Sequence, residues 1–215
     1  MSSLPLLDLP SDEASAAEAK LRRIARKFRA VMEELGLDLS DPHLEGTDLR
    51  VARAYRELFA GLSDGAEPAL RSFPNTEQYA AMVTVMDIPF YSLCAHHFLP
   101  FFGSAHIAYL PGKRLLGLSK LARVVEYYAR RPQVQERLTE QIADLLDRRL
   151  HPAGVMVVVQ ARHFCIEMRG VSRVGMITTT SAARGALKEE RRRREFLTLL
   201  RGETGVATSI EHGSE

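Results

Sequence analysis

The sequence has no tryptophan, only two cysteines and almost no net charge. Its 29 basic and 27 acidic residues leave a formal charge of +2, which is too small to indicate a nucleic-acid-binding or membrane-surface protein. The longest apolar run, around Val155–Val159, is far shorter than the roughly 18 residues that a membrane span needs. We therefore expect neither a nucleic acid nor a membrane as a partner.

A secretory signal is also missing from the first residues, because MSSLPLLDLPSDEA lacks a basic start and a long apolar core. The apolar fraction of 46% and the charged fraction of 26% are close to the globular average, which excludes wholesale disorder. These features predict a cytoplasmic globular protein. In that compartment Cys94 and Cys165 favour metal binding or catalysis, although one disulfide is formally possible.

Apolar periodicity predicts helices at the start and in the middle of the chain, with strands between and after them. Ser15 and Glu18 form a capping-box pattern for the first helix, and Gly36 ends it. Pro132 suits the first turn of a later helix. The remaining expected elements are a helix over Thr47–Leu62, a loop over Ser63–Thr76, a helix from Ser119 onward, and strands at Met82–Ile88, Ala105–Leu110, Val155–Val159 and Val174–Thr180. Because helices do not separate the strands regularly, this order predicts an α+β fold.

Histidine and cysteine concentrate at two places that are distant in sequence. Cys94 and His97 have a spacing that lets both side chains of a tight turn reach one metal ion, and Cys165 would be a third ligand. Three ligands of mixed sulfur and nitrogen leave one tetrahedral position open, which is the arrangement of catalytic zinc. His96 and His163 are candidates for a fourth ligand, or for an acid or base beside the metal. A buried free cysteine near hydrogen-bonded histidines is the alternative.

Two further clusters have the composition of a nucleotide site. Lys120 and Arg123 lie one turn apart at the start of the helix that Ser119 would cap, where free backbone N–H groups suit phosphate. Gln135 and Glu136 combine an amide with a carboxylate, which could recognise a purine edge that offers two donors and an acceptor. Taken alone, ordinary helix capping, a solvated basic face and helix-dipole complementation are the simpler explanations of these residues.

The four motifs at these places occur in one order along the chain. They are Cys94-Ala95-His96-His97, Gly117-Leu118-Ser119-Lys120, the run from Arg131-Pro132 to Gln135-Glu136-Arg137-Leu138, and His163-Phe164-Cys165 followed by Arg169-Gly170. Over roughly residues 45–200 the sequence closely resembles GTP cyclohydrolase I.

This resemblance implies the tunnelling fold, an α+β fold in which an antiparallel sheet flanked by helices joins those of other subunits into a barrel. It further implies a homo-oligomer, a decamer of two pentamers, with active sites at subunit interfaces. It divides the chain into an N-terminal helical region with a loose leader over residues 1–62, a catalytic domain over 63–200 and a disordered tail over 201–215.

The resemblance also implies a reaction and a role for each matching position. The reaction is zinc-dependent hydrolysis and rearrangement of GTP to 7,8-dihydroneopterin triphosphate, with release of formate. The matching residues are Cys94, His97 and Cys165 for one zinc ion per chain; His96, His163 and Ser119 for catalysis; Gln135 and Glu136 for guanine; Lys120, Arg123 and Arg169 for the ribose and triphosphate; and Arg50 and Arg53, lent by a neighbouring subunit.

Ala95 departs from the family pattern, which usually reads Cys-Glu-His-His, and Ala80 and Ala81 replace acidic residues that often precede the next strand. Loss of a carboxylate beside a metal site costs about 10–100-fold in metal affinity or activity. Two alternatives therefore stay open: an enzyme acting on another purine nucleotide or stopping at a different product, and a zinc-stabilised assembly that binds nucleotide without turnover. A nitrile-reducing relative is disfavoured because the zinc pattern uses both cysteines. A nucleic-acid binder built on Arg191–Arg194 is disfavoured because adjacent glutamates neutralise that run.

Overall fold

The computed structural model describes residues 11–63 and 65–202. The chain divides into two compact units, Met1–Ala60 and Gly61–Glu215. The expected leader over residues 1–10, and residues 203–215 of the expected tail, lie outside the described residues. Within the described ranges, no helix is both long enough and apolar enough to cross a membrane.

The first unit contains two helices, α1 over Ser11–Glu34 and α2 over Thr47–Leu58. They pack through a small core of Leu21, Ala25 and Ala52. The capping-box prediction at Ser15 is wrong, because α1 already begins at Ser11.

The end of α1 follows the sequence pattern. Gly36 has a φ of +74° there, a conformation that glycine adopts without a steric penalty. The backbone N–H of Gly36 donates to Glu33 O at 2.9 Å and that of Leu37 donates to Met32 O at 3.1 Å. This pair of hydrogen bonds is a Schellman motif, which satisfies the last carbonyl groups of the helix.

The second unit alternates strands and helices irregularly, as the sequence predicts for an α+β fold. Its elements are β1 Ser72–Pro74, β2 Val83–Cys94, β3 Pro100–Leu110, β4 Arg114–Leu116, α3 Leu118–Ala129, β5 Pro132–Gln133, α4 Gln135–Leu150, β6 Gly154–His163, α5 Phe164–Glu167, β7 Thr178–Gly185 and α6 Glu190–Leu200.

Five strands form one sheet in the order β5-β2-β3-β6-β7. The pairs β2–β3, β3–β6 and β6–β7 are antiparallel, and only the two-residue β5 runs parallel to its neighbour β2. Strands β1 and β4 form a separate small antiparallel pair. Gly103 on β3 is required for a close approach, because a Cβ there would lie 1.9 Å from Gln160 O on β6.

The interior strand β6 is buried on both faces of the sheet. Val155, Val157 and Val159 belong to the larger core, together with apolar residues of α3 and α4. Met156 and Val158 belong to a second core on the other face, which includes Phe196 of α6 and Leu187. Burial on both sides explains why this strand is a continuous apolar run rather than an alternating one.

Further local predictions from the sequence need correction. The helix expected over Thr47–Leu62 ends at Leu58, and one turn of 3₁₀-helix follows over Ala60–Leu62. The loop expected over Ser63–Thr76 contains β1. Pro132 does not begin a helix but lies in the edge strand β5. An edge strand tolerates proline, because the missing N–H group is not needed for a hydrogen bond to a neighbouring strand.

Candidate metal centre and active site

One half of the candidate site lies at the hairpin between β2 and β3. Cys94 is the last residue of β2, and its backbone N–H donates to Leu99 O at 2.9 Å. The backbone N–H groups of His97 and Phe98 return to Cys94 O, at 3.3 and 2.8 Å. This tight turn holds the His97 side chain next to the Cys94 sulfur, as the sequence spacing predicts.

The other half of the site lies where β6 ends and α5 begins. Cross-strand pairing places His163, the last residue of β6, opposite Phe101 of β3. Cys165 follows on α5. Because β3 also forms the hairpin that carries Cys94, the sheet register brings the two cysteines together although 71 positions separate them.

The short helix α5 is bracketed by an ion pair. Arg162 donates two parallel hydrogen bonds to the Glu167 carboxylate, at 2.9 Å from Nε and 2.5 Å from the terminal nitrogen. The Glu167 side chain is only 6% exposed, and the Arg162 guanidinium lowers the pKa of this carboxyl. Arg162 and Glu167 flank His163 and Cys165 in sequence, so their bidentate pair fixes the segment that carries both.

The ligand atoms of Cys94, His97 and Cys165 all lie within 4.8 Å of one another. The Cys94 Sγ to His97 Nδ1 distance is 3.9 Å, close to the roughly 3.6 Å separation of sulfur and nitrogen on a tetrahedral zinc. Both cysteines are free, and burial together with the neighbouring Cys94 sulfur raises the pKa of the Cys165 thiol. A cation between the sulfurs would reverse that effect, so the soft donor set fits a zinc ion.

His163 lies beside the cluster in a defined orientation. Its ring stacks on Phe101 with 4.8 Å between centroids and 2° between planes, and its Nε2 lies 2.7 Å from Gln135 Oε1. Burial lowers the pKa of His163 below its ordinary 6.5, against the opposing charges of Glu136 and Glu167. The imidazole is therefore neutral near pH 7 and available to accept a proton.

The second histidine, His96, is exposed on the turn next to Cys94. Its Nδ1 lies 3.7 Å from Cys94 Sγ, and its ring centroid lies 6.1 Å from that of His97. His96 is thus adjacent to the candidate metal centre and open to a substrate.

Two charged candidates border the same cluster. Glu136 is exposed in the first turn of α4, and its charge acts on His163. Arg169 is exposed just after α5, and its charge acts on Cys165. Both side chains are therefore free for a ligand that approaches the metal centre.

The residues at the start of α3 lie differently from the sequence prediction. Gly117, in an extended conformation, is the N-cap, so Ser119 lies inside the first turn and does not cap the helix. Among the described residues, no side-chain hydrogen bond engages Ser119, Lys120 or Arg123. The first two turns of α3 thus still combine two basic side chains with the free backbone N–H groups at the start of the helix.

Arg50 and Arg53 belong to the first unit. Arg53 is exposed, whereas the Arg50 guanidinium donates to Glu45 O at 2.7 Å and to Thr47 Oγ1 at 2.6 Å, next to the start of α2.

Sequence reasoning missed the Arg162–Glu167 pair and the stacking of Phe101 on His163. A five-residue separation is no helical or strand repeat, and the Phe101–His163 contact depends on the pairing of β3 with β6.

A largely antiparallel sheet flanked by helices, with a Cys–His–Cys cluster at the end of its strands, fits an α+β enzyme of the tunnelling-fold class. The family model described as GTP cyclohydrolase I matches residues 24–201. The chain belongs to the GTP cyclohydrolase I family and is an enzyme with GTP cyclohydrolase activity, which confirms the resemblance, the fold class and the main functional prediction from the sequence.

Relatives at about half identity span most of this chain. The protein "GTP cyclohydrolase 1" of Pelotomaculum thermopropionicum is 48% identical over 183 residues, 84% of this chain and 97% of its own length. Its namesake in Carboxydothermus hydrogenoformans is 55% identical over 165 residues, 76% of this chain and 85% of its own length. That of Mycolicibacterium vanbaalenii is 54% identical over 172 residues, with coverage of 78% and 85%.

Among solved structures, the apo form of the archaeosine synthase QueF-Like is similar at a TM-score of 0.40 and 18% identity. The similarity covers 49% of this chain and 94% of that one. The fold assignment rests on the family match and not on this likeness.

Proposed function

We propose that this enzyme converts GTP to 7,8-dihydroneopterin triphosphate and formate, with one zinc ion per chain held by Cys94, His97 and Cys165. The observation that carries the proposal is the cluster of three soft ligand atoms within 4.8 Å, at the positions that match the family's zinc ligands. With three protein ligands, a zinc ion would keep one coordination position open and supply activated water at neutral pH.

We assign proton transfer near the guanine imidazole ring to His163. The neutral ring can take a proton at neutral pH, and the stacked Phe101 holds its plane. His96 and Ser119, both exposed, are assigned to the proton transfers that accompany opening and rearrangement of the ribose.

Guanine recognition is assigned to Glu136. Its exposed carboxylate can accept hydrogen bonds from N1–H and from the exocyclic amine, two donors that together distinguish guanine from adenine. Gln135, its expected companion, is only 2% exposed, and its amide is hydrogen-bonded within the chain.

The triphosphate is assigned to the basic residues around the site. Lys120 lies in the first turn of α3 and Arg123 in the second, near the backbone N–H groups at the start of the helix, which add to their charge. Arg169 lies beside Cys165, and Arg50 and Arg53 would come from a neighbouring subunit, as the family resemblance implies.

A homo-oligomer, in the family's form of a decamer of two pentamers, would complete this site. Two observations support it: the candidate catalytic residue His96 is exposed, and the segment after α5 exposes a row of apolar side chains. The row consists of Met168, Val171, Val174, Met176 and Ile177, each at least half exposed. Residues 63–200 would form the catalytic domain and residues 1–62 the N-terminal helical region, and the cytoplasmic location stays a prediction.

The test is turnover together with zinc content. The purified wild type should release formate from GTP and yield a pterin that fluoresces after oxidation, with one zinc per chain by elemental analysis. Cys165→Ser should lose both zinc and turnover, whereas His151→Asn, an exposed histidine in a left-handed position that asparagine tolerates, should keep both.

The two parts of the proposal fail separately. Zinc-loaded wild type that releases no formate would overturn the reaction, and full zinc occupancy in Cys165→Ser would overturn the ligand assignment. The non-catalytic nucleotide-binding alternative is not favoured, because the family match runs through every one of the four motifs.

A further inference from the structure

The amide of Gln135 has an unusually complete set of partners for a residue beside an active site. Gln135 is 2% exposed at the start of α4. Its Nε2 lies 3.1 Å from Val159 O, 3.0 Å from Thr178 O and 3.2 Å from Thr180 Oγ1. Its Oε1 lies 2.7 Å from His163 Nε2.

These partners determine which way the amide points. Val159 O and Thr178 O are backbone carbonyl oxygens, which only accept hydrogen bonds, so the NH₂ group of Gln135 must face them. The amide oxygen must then face His163. Because an amide oxygen only accepts, the Nε2 atom of His163 must carry the proton that this hydrogen bond needs.

Two threonines extend the same directed chain. The Thr139 hydroxyl donates to Gln135 O at 2.9 Å, so its single proton is used there. The 2.6 Å contact between the Thr139 and Thr180 hydroxyl oxygens is therefore donated by Thr180. The Thr180 oxygen is then left as an acceptor, which shares one of the two Gln135 N–H protons with a carbonyl oxygen. Every contact in this network therefore joins a donor to an acceptor.

We infer that Gln135 is a positioning residue that holds His163 in the tautomer protonated at Nε2, so that Nδ1 is the only basic atom of the ring. This inference rests on the proposed role of His163 in proton transfer. It differs from the guanine contact that the resemblance implies for Gln135, because every polar atom of its side chain already has a partner within the chain.

In this tautomer the two nitrogens of His163 differ. The lone pair lies on Nδ1, which is therefore the nitrogen that can accept a hydrogen bond from a substrate. The Nε2 proton stays donated to Gln135 throughout and is not exchanged with substrate. Phe101, stacked at 4.8 Å, holds the ring plane, so Gln135 and Phe101 together leave His163 one orientation and one active nitrogen.

The kinetic test is Gln135→Met, which keeps the length of the side chain and removes its donor and acceptor. If Gln135 positions His163, kcat for formate release should fall by about 10–100-fold while KM for GTP stays within about threefold of wild type. A KM that rises with kcat unchanged would instead mean that Gln135 binds guanine, and would overturn the inference.

Gln133→Met is the matched control. Gln133 is an equally buried glutamine whose amide donates to Tyr128 O at 2.8 Å and to Gln141 Oε1 at 2.9 Å, without contact to His163. It measures the effect of losing a buried amide as such. An equal loss of kcat in both variants would remove the case for a specific effect on His163.

A spectroscopic readout needs no turnover. In ¹⁵N-histidine-labelled wild type near pH 7, the His163 signal, identified by its loss in His163→Asn, should show a protonated Nε2 and an unprotonated Nδ1. Gln135→Met should show a mixture of the two tautomers. A wild-type ring protonated at Nδ1 would overturn the inference even if the enzyme turns over GTP, and the expected tautomer in an inactive enzyme would instead count against the proposed function.

Discussion

Ala95, between Cys94 and His96, is the residue at which the chain departs from the Cys-Glu-His-His pattern. Its backbone N–H donates to Gln133 O at 2.8 Å, which ties the turn to β5, and its side chain is half-buried. The backbone of the turn therefore does not depend on a carboxylate at this position. The ligand atoms of the cluster stay within 4.8 Å of one another without it.

We predict that Ala95→Glu changes the rate of formate release by no more than about 100-fold, the usual range for a group that contacts a metal ligand without binding the metal. Steady-state kinetics of zinc-loaded wild type and variant check this. A wild type that binds GTP, releases no formate and becomes active only as Ala95→Glu would show that the substitution silences the site.

His106 is a buried histidine outside the metal centre. It lies on β3 opposite the bulge in β2, where Asp87 has a φ of +54° and donates its backbone N–H to His106 Nδ1 at 3.1 Å. Burial lowers the pKa of His106 below its ordinary 6.5, and the opposing effects of Asp87 and Gln160 are smaller. The folded state therefore holds this ring neutral where the unfolded chain would already protonate it.

The sign of the pH effect follows from that difference. As the pH falls below about 6.5, His106 takes up a proton in the unfolded chain, whereas in the folded chain it does so only at a lower pH. The contribution of His106 to the free energy of unfolding is therefore fully present above pH 6.5 and is lost as the pH falls toward the pKa of the folded state.

We predict that His106→Asn reduces the loss of folding stability between pH 7 and pH 5.5. Unfolding midpoints at fixed subunit concentration measure it. The exposed His151→Asn serves as control, and equal pH slopes in both variants would contradict the prediction.

At the scale of elements, the short helix α5 is the part of the site that is least fixed by regular secondary structure. It has four residues, too few for a stable helix alone, and it carries Cys165. The Arg162–Glu167 pair spans it from the end of β6. Because the guanidinium lowers the pKa of Glu167, this pair stays ionised at neutral pH.

We predict that Glu167→Gln weakens zinc binding by about 10–100-fold, because Cys165 loses the fixed position that preorganises the ligand set. Competition against a chromophoric chelator gives the affinity. Glu126→Gln, which removes an exposed ion pair with Arg130 on α3, should leave the affinity unchanged. Wild-type affinity in Glu167→Gln would mean that the metal orders α5 without help from the pair.

At the scale of the whole molecule, the apolar row at residues 168–177 is the most exposed hydrophobic feature near the site. Val174 is 77% exposed and Val171 is 69% exposed in the single chain. A concentration of exposed apolar side chains in one segment is typical of an interaction site. In the proposed oligomer this row would be covered by a second copy beside the metal centre.

We predict that Val174→Asp lowers both the sedimentation coefficient and the rate of formate release, because a buried unpaired carboxylate opposes association. Arg148→Asp, a larger charge change on the exposed end of α4, should leave both near wild type. A wild-type assembly in Val174→Asp would exclude residues 168–177 from the subunit contact.

The sequence predicts helices and strands correctly where the apolar pattern is long and periodic. The apolar pattern from Leu21 onward predicted α1, and the valine run predicted β6. Elements without such a pattern were missed: β1 and β5 are too short, and the charges of Arg191–Arg194 obscured α6, which buries only Phe196. Pro132 does not distinguish a helix start from an edge strand, because its fixed φ suits both.

The sequence by itself determined which kinds of ligand atoms are present, how they group into four motifs, and to which family the chain belongs. These follow from residue identity and local spacing, which are properties of the sequence. The tertiary structure alone decided which atoms meet. Gln135 reaches His163 across 28 positions because α4 packs on β6 and β7. Cys94 reaches Cys165 across the sheet because the register of β3 with β6 aligns Phe101 with His163. Register depends on the packing of both sheet faces at once, so no local pattern encodes it.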